Sequence, residues 1–162
     1  MSANNFSPFQ LEDAQIVEMQ FSVDLEQIEK QVGNESRFSL QIEVLEGSTE
    51  EDSLEEKRQI TLGISLDTYP QKKDKRKKPK QITRMSILAR GLVLAVFDAD
   101  ISGEERELAL RANGISLLYG IIRGYVSTVT ALSPLGKLML PSINPLAVAE
   151  ESLLKQAEEQ AD

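Results

Sequence analysis

Three groups of side chains in this sequence have types and spacings that could serve a chemical or binding role. The first is acidic: Asp98 and Asp100 are followed by Glu104, Glu105 and Glu107, and carboxylate oxygens are the ligands that Ca²⁺ and Mg²⁺ prefer. The group lacks the glycine and spacing of an EF-hand loop, and acids at these positions also suit the N-terminus of a helix. The sequence therefore favours a structural role for these acids, and no metal site is predicted.

The residues that most enzymes use for catalysis are missing. The sequence has no histidine and no cysteine, which removes the commonest general base, the commonest metal ligand and any thiolate nucleophile. The segment RANGISLLYG lacks the lysine and the spacing of a phosphate-binding P-loop. We therefore expect a protein that is not an enzyme and that uses no cofactor.

The second group is the basic segment YPQKKDKRKKPKQ, residues 69–81, in a chain of net charge −8. Nucleic-acid binders couple such clusters to stacking aromatic residues and a basic domain, whereas only Tyr69 lies nearby and the rest of the chain is acidic. Pro70 and Pro79 bracket the run, which favours a solvated hairpin loop inserted between two strands. Attraction for acidic segments of another protein is the second interpretation, and nucleic acid the third. The cations are Lys72, Lys73, Lys75, Arg76, Lys77, Lys78 and Lys80.

The third group is an apolar segment that cannot be a regular helix, SPLGKLMLPSINP, residues 133–145. Irregular backbone usually lies at the surface and is polar, so these apolar side chains need cover. They either seal a core or an oligomer interface, or they form the wall of an apolar groove that accepts varied partners. With the first residue of the next helix, the candidates are Leu135, Leu138, Met139, Leu140, Ile143 and Leu146.

Strands precede these groups in the chain. Apolar and polar residues alternate over residues 17–25, 38–44 and 60–66, which predicts three half-buried strands. Residues 82–97 are more continuously apolar and predict a fourth, longer strand with a bend or bulge at Gly91.

Helices follow the strands. Ser102 and Glu105 have capping-box spacing and predict a short helix over residues 102–113, interrupted at Asn113 and Gly114. A longer helix is predicted over residues 115–132, where Gly120 and Gly124 would allow another backbone to approach. Asn144 as N-cap predicts a last helix over residues 146–156.

This order predicts an α+β fold, a four-stranded antiparallel sheet followed by two helices that pack on one side of it. We expect one domain over residues 1–162, flexible ends at residues 1–13 and 155–162, and a loop insertion at 69–81. The first ten residues do not form a secretory signal. The apolar run at residues 114–132 contains Arg123 and three glycines, which favours a buried helix over a membrane span. We therefore expect a cytoplasmic protein without membrane insertion.

From the fourth strand onward the chain resembles the SecB family of bacterial export chaperones. The resemblance rests on GLVLAVFDAD followed by ISG, on the asparagine before ISLLYGIIRGYVS, and on SPLGKLMLPSINPLAVAEE; together these cover roughly residues 84–151. It implies a four-stranded sheet with two helices, assembly into homodimers or homotetramers, and a groove for unfolded polypeptide walled by the apolar segment and the last helix. The implied contacts between copies lie on the long helix, at Leu118, Gly120, Ile121, Gly124 and Tyr125.

The same resemblance implies an ATP-independent holdase, a chaperone that holds unfolded polypeptide, with protein export as the role of the family's export members. Export members dock the translocase motor through acids on the exposed sheet face, notably on the last strand. Here that strand reads SILARGL, with Arg90 and no acid, so chaperone function is better supported than docking of the motor. Two alternatives stay open: a dedicated chaperone of a toxin–antitoxin pair, whose antitoxin would be the partner, and a structural or adaptor oligomer without a client groove.

Overall fold

The computed structural model describes residues 9–24, 34–46, 55–70, 81–97, 100–134 and 136–161. Four strands precede two helices: β1 Phe9–Val23, β2 Asn34–Glu46, β3 Glu55–Pro70, β4 Thr83–Val96, α1 Gly103–Val129 and α2 Pro145–Ala161. All pairings in the sheet are antiparallel, and the order β1-β4-β3-β2 makes β1 and β2 its edges. The predicted α+β architecture is confirmed.

The two faces of the sheet differ because polar and apolar residues alternate along each strand. Register places Leu62 beside Ala89 and Ile64 beside Ile87 on one face, and these side chains are buried. Helix α1 covers this face and buries its own apolar stripe against it, so the core lies between the sheet and α1. The buried residues of that stripe include Leu110, Ile115, Leu118, Ile122 and Val126.

The strands are longer than the alternation predicts, and the irregularity lies in a different strand. Strand β4 pairs with β3 without interruption at Gly91. Register shifts instead occur in β1, one of them between Glu12 and Gln15, opposite Gly91. Asp13 there has a φ of 49°, a left-handed conformation that fits a bulge residue. A second shift after Ile16 turns Val17 outward, and it is 51% exposed although its position in the alternation predicted an inward side chain.

The prediction of two helices separated at Asn113 and Gly114 is wrong, because α1 is continuous from Gly103 to Val129. Asn113 Nδ2 donates a hydrogen bond to the Ala109 carbonyl one turn earlier, 2.8 Å away. At Gly114 a Cβ atom would lie 2.3 Å from the Ile60 side chain and 2.6 Å from that of Val93. The glycine therefore marks the closest approach of helix to sheet, not a break. The predicted capping box is confirmed at Ser102.

The helix ends agree with the expected caps, although α2 is longer than predicted. Asn144 Oδ1 accepts hydrogen bonds from the backbone N–H groups of Leu146 and Ala147, at 3.2 and 3.4 Å. Strand β1 starts at residue 9 and α2 ends at residue 161, so secondary structure extends into both segments for which flexible ends were expected; their flexibility stays a prediction. Leu135 and the basic side chains at 72–80 lie outside the described residues.

Candidate functional site

A groove lies between the free edge of the sheet and the last helix, and we call it the lateral groove. One wall is the run of β2 residues 40–45, and the other is helix α2; the volume between them is about 480 Å³. The remaining lining residues are Arg111 from α1 and Val148, Glu151, Ser152, Lys155 and Gln156 from α2. Six consecutive residues of an edge strand extend over on the order of 20 Å, so the groove has room for a short extended peptide segment.

The floor of the lateral groove is apolar because of the strand alternation. Leu40, Ile42 and Val44 share the core-facing side of β2. A central strand would have these side chains covered by neighbours on both sides, but among the described strands β2 pairs with β3 alone. They are consequently half-buried, and they pack against the core while still lining the groove. Val148 adds an apolar contact from α2.

The helical wall of the groove is fixed by a buried arginine. Arg111 is 5% exposed, and its guanidinium group connects α1 with α2. Its Nη1 donates a hydrogen bond to Ser152 Oγ at 3.2 Å, and its Nη2 donates one to Gln156 Oε1 at 2.5 Å. Hydrogen bonds from a charged donor are roughly twice as strong as neutral ones, so this side chain holds α2 at a set distance from the sheet.

The same arginine is joined to β3 through one carboxylate. Arg111 Nε donates to Glu107 Oε1 at 2.5 Å, and Arg58 Nε donates to Glu107 Oε2 at 2.8 Å. Arg58 also contacts Glu56, with 3.3 Å between Nη2 and Oε2. Two acids that the sequence placed at a helix N-terminus thus have distinct roles: Glu105 caps α1, whereas Glu107 bridges two guanidinium groups.

The crossover segment, residues 131–134 and 136–144 between the two helices, is held at two points, one on α1 and one on Thr130, the C-cap residue of α1. The Tyr119 hydroxyl donates a hydrogen bond to the Pro141 carbonyl at 2.6 Å, and the Leu138 N–H donates one to Thr130 Oγ1 at 2.9 Å. Burial raises the pKa of the Tyr119 hydroxyl, and the positive charge of Arg123 opposes that rise only in part. The hydroxyl therefore stays protonated, as the hydrogen bond requires.

The structure places the predicted client-binding residues in several environments. Leu140 is only 1% exposed and packs in the core of the single chain. Leu138 and Ile143 are half-buried against the core, whereas Met139 and Leu146 are exposed. None of the five is among the residues that line the lateral groove. Leu135 lies outside the described part of the chain.

The predicted contacts between copies divide between the two sides of α1. Leu118 is buried against the sheet within a single chain. Ile121 and Tyr125 are exposed on the opposite side, in one stripe with Leu117 and Val129. Gly120 and Gly124 lie beside this stripe, and apart from the adjoining residues and backbone of α1 no atom of the described residues comes within 4 Å of a Cβ built on either one. A second helix could approach closely there.

The outward face of the sheet carries a second, smaller depression of about 230 Å³. It centres on Gly63, whose missing side chain leaves a notch between Gln41 and Leu88. Ser39 and Ser65 share a hydrogen bond of 2.7 Å at its border. The outward side chains of β4 on this face are Arg84, Ser86, Leu88, Arg90, Leu92, Leu94 and Val96, so the strand presents cations and leucines where the SecB resemblance implies acids.

The residues that line the lateral groove were not predicted as a site. Alternation predicts that Leu40, Ile42 and Val44 share one face of a strand, but the exposure of that strand depends on the order of the sheet. Arg111 has no sequence signal of its own: its role follows from Ser152 and Gln156, which lie 41 and 45 residues away. No described helix is long and apolar enough to cross a membrane.

Comparisons with known proteins agree with this fold. No family model and no curated protein matches the sequence. Among solved structures, the chain is similar to the SecB-like chaperone Rv1957 of Mycobacterium tuberculosis, which was solved with a ChAD peptide from the Rv1956 HigA1 antitoxin. The two structures superpose with a TM-score of 0.55 at 18% sequence identity, and the match covers 83% of this chain and 90% of that chain. A Streptococcus agalactiae protein of unknown function matches with TM-score 0.43, 11% identity and coverage of 83% and 97%. The first likeness shows that this chain has a SecB-like fold.

Proposed function

We propose that the protein is an ATP-independent holdase that binds unfolded or incompletely folded polypeptide in the lateral groove. The observation that carries the proposal is the free edge of β2, whose half-buried apolar side chains lie open to a groove long enough for an extended segment. Such a surface binds through apolar contact and backbone hydrogen bonds, neither of which requires a particular client sequence. Holding a client in this way needs no catalytic group and no cofactor.

The comparison supports a peptide as the class of ligand. The SecB-like chaperone from Mycobacterium tuberculosis, which shares this fold, was solved with a peptide from an antitoxin. A chaperone dedicated to an antitoxin is therefore the second candidate function. The two differ in range: a general holdase binds many unfolded chains, whereas a dedicated chaperone binds one. Because the outward face of β4 carries Arg84 and Arg90 and no acid, we favour either function over docking of a translocase motor.

The test is the refolding of a slow-folding model protein with this chain added near stoichiometry, without nucleotide, at low and high salt. We expect arrest that survives high salt, because apolar contact is not screened by ions. Arrest that disappears in high salt would assign binding to the basic segment at 72–80 instead. An absence of arrest at either salt would favour a dedicated chaperone or a sealed structural oligomer.

A variant pair assigns the activity to the groove. Ile42→Thr with Val44→Thr keeps the β-branched shape that suits a strand but makes the floor of the groove polar, so arrest should weaken. Leu154→Gln is the matched control, since Leu154 is an apolar residue of α2 that is 66% exposed and does not line the groove. Equal arrest by both variants would remove the lateral groove from the binding site.

We further propose that copies of the chain associate through the exposed stripe of α1 into a homodimer or homotetramer. The stripe of Leu117, Ile121, Tyr125 and Val129 offers apolar side chains, and the neighbouring glycines allow close packing. Sedimentation equilibrium of Ile121→Asp should show a smaller assembly than the unaltered chain. An unchanged molar mass would exclude this face as the interface.

A further inference from the structure

The buried arginine at the lateral groove has hydrogen-bonding capacity beyond what the described residues use. A guanidinium group has five N–H donors, and the acceptors for Arg111 are Glu107, Ser152 and Gln156, one to each nitrogen. Two donors on the terminal nitrogens have no acceptor among the described residues. Ser152 and Gln156, which those nitrogens contact, line the groove together with Arg111, so the remaining donors lie at the groove wall.

The positive charge of Arg111 is also only partly compensated. Glu107 is the acid that it contacts among the described residues, and Glu107 is shared with Arg58. The side chain of Arg111 is 6% exposed, so water screens its charge poorly. A buried charge in this position favours an anionic partner more strongly than an exposed cation would.

The other charged residues of the lateral groove are differently placed. Glu151 and Lys155 form an ion pair of 2.7 Å on the exposed surface of α2, and hydrogen bonding to Lys155 lowers the pKa of the Glu151 carboxyl. Glu43 is exposed on the side of β2 opposite to the apolar floor. None of these three contacts Arg111 in the described structure. The positive charge of the groove therefore lies at its buried end, on Arg111.

We infer that the lateral groove selects extended apolar segments that carry an acidic side chain, whose carboxylate pairs with Arg111. This inference rests on the proposed function and narrows its ligand class. The apolar residues of the segment would lie on Leu40, Ile42 and Val44, and the carboxylate would accept the two remaining N–H donors of Arg111. A bidentate arrangement of this kind matches the planar guanidinium group. The carboxylate comes from a side chain, because an unfolded client offers many of these and a single C-terminus.

The test uses fluorescently labelled, extended apolar peptides that differ at one central residue, glutamate or glutamine, both with an amidated C-terminus. Fluorescence anisotropy on the unaltered protein should show the glutamate peptide binding about tenfold more tightly, the factor expected for one charge-assisted pair in a desolvated site. The difference should persist in high salt because Arg111 is buried. Equal affinities would overturn the inference and leave the proposed groove intact, whereas no binding of either peptide would overturn both.

Two variants and one further peptide identify the cation and the carboxylate. Arg111→Gln should abolish the preference for glutamate, and Lys155→Gln should leave it unchanged. If Arg111→Gln does not fold, Lys155→Gln still tests the inference. Loss of the glutamate preference in Lys155→Gln would show that the carboxylate pairs with the exposed lysine, and it would overturn the inference. A glutamine peptide with a free C-terminus should bind like its amidated form; tighter binding would mean that the groove reads a terminal carboxylate instead.

Discussion

The crossover segment and the lateral groove both carry apolar side chains, but they use them in opposite ways. The crossover segment inserts Leu140 into the core and is held to α1 by the Tyr119 and Thr130 hydrogen bonds. The lateral groove leaves Leu40, Ile42 and Val44 half-covered at a free strand edge. An apolar irregular segment thus stabilises the fold, while an ordinary alternating strand supplies the candidate binding surface. The two regions differ in how far the surrounding structure covers them, not in apolar content.

The largest change in the free energy of unfolding is expected from a substitution in the crossover segment. Leu140→Ala should lower the free energy of unfolding by about 2–5 kcal/mol, because it removes a fully buried leucine and leaves a cavity. Met139→Ala, at a neighbour that is 57% exposed, is the control and should change stability by about 0.5 kcal/mol or less. Urea denaturation measures both. Equal, small effects would mean that the crossover segment is not packed as described.

A smaller loss of stability is expected at Glu107, which joins Arg58 and Arg111 behind the helical wall of the groove. Glu107→Gln should lower the free energy of unfolding by about 1–3 kcal/mol, because Arg58 and Arg111 lose the charged acceptor that they share. Glu104→Gln provides the matched control, since Glu104 is an exposed acid in the first turn of the same helix. Thermal unfolding followed by circular dichroism compares the two. A loss as large in Glu104→Gln would assign the effect to the helix N-terminus instead of the bridge.

Tyr119→Phe tests the attachment of the crossover segment without disturbing its core packing. It removes one hydrogen bond to Pro141 and should cost about 1 kcal/mol. The raised pKa of Tyr119 adds a pH signature. The unfolded chain ionises near the ordinary tyrosine pKa of about 10, so this contribution is present below that pH and is lost as pH rises through the higher folded-state pKa. Urea denaturation at neutral and strongly alkaline pH should show the loss in the unaltered chain and a reduced loss in Tyr119→Phe.

The smallest effect concerns the exposed rim of the groove. Lys155→Gln should raise the pKa of the Glu151 carboxyl, because the lysine lowers it chiefly through a hydrogen bond and also through charge. Both side chains are two-thirds exposed, so stability should stay unchanged within measurement. Carboxyl chemical shifts followed by NMR through an acid titration measure the pKa. No movement of that titration would mean that the ion pair does not form in solution.

The architecture could be predicted from the sequence because alternation and helix caps are local signals. The four strands, the capping box at Ser102 and the N-cap at Asn144 all have signals in the sequence, and the structure contains each of them. Gly114 misled the prediction because glycine serves equally as a helix break and as a close contact, and only the neighbouring Ile60 and Val93 distinguish these roles.

The candidate site could not be predicted in the same way. The groove depends on β2 being an edge strand and on Arg111 reaching residues in another helix, and both are properties of the tertiary structure. The apolar composition of the crossover segment predicts a binding surface or a sealed core, but the burial of Leu140 depends on tertiary packing that composition does not encode. The sequence therefore indicates which apolar side chains favour burial, but not which of them are buried in the folded chain.

Site-specific photo-crosslinking to an unfolded client shows whether the client lies in the lateral groove. A photoreactive side chain is placed at Glu151, which lines the groove, at Glu150, its exposed neighbour that does not, or at Met139 in the crossover segment. We expect strong crosslinking from position 151 and little from the other two, with loss of the product when Ile42→Thr and Val44→Thr are added. Crosslinking from position 139 without crosslinking from 151 would contradict this expectation and assign client binding to the crossover segment.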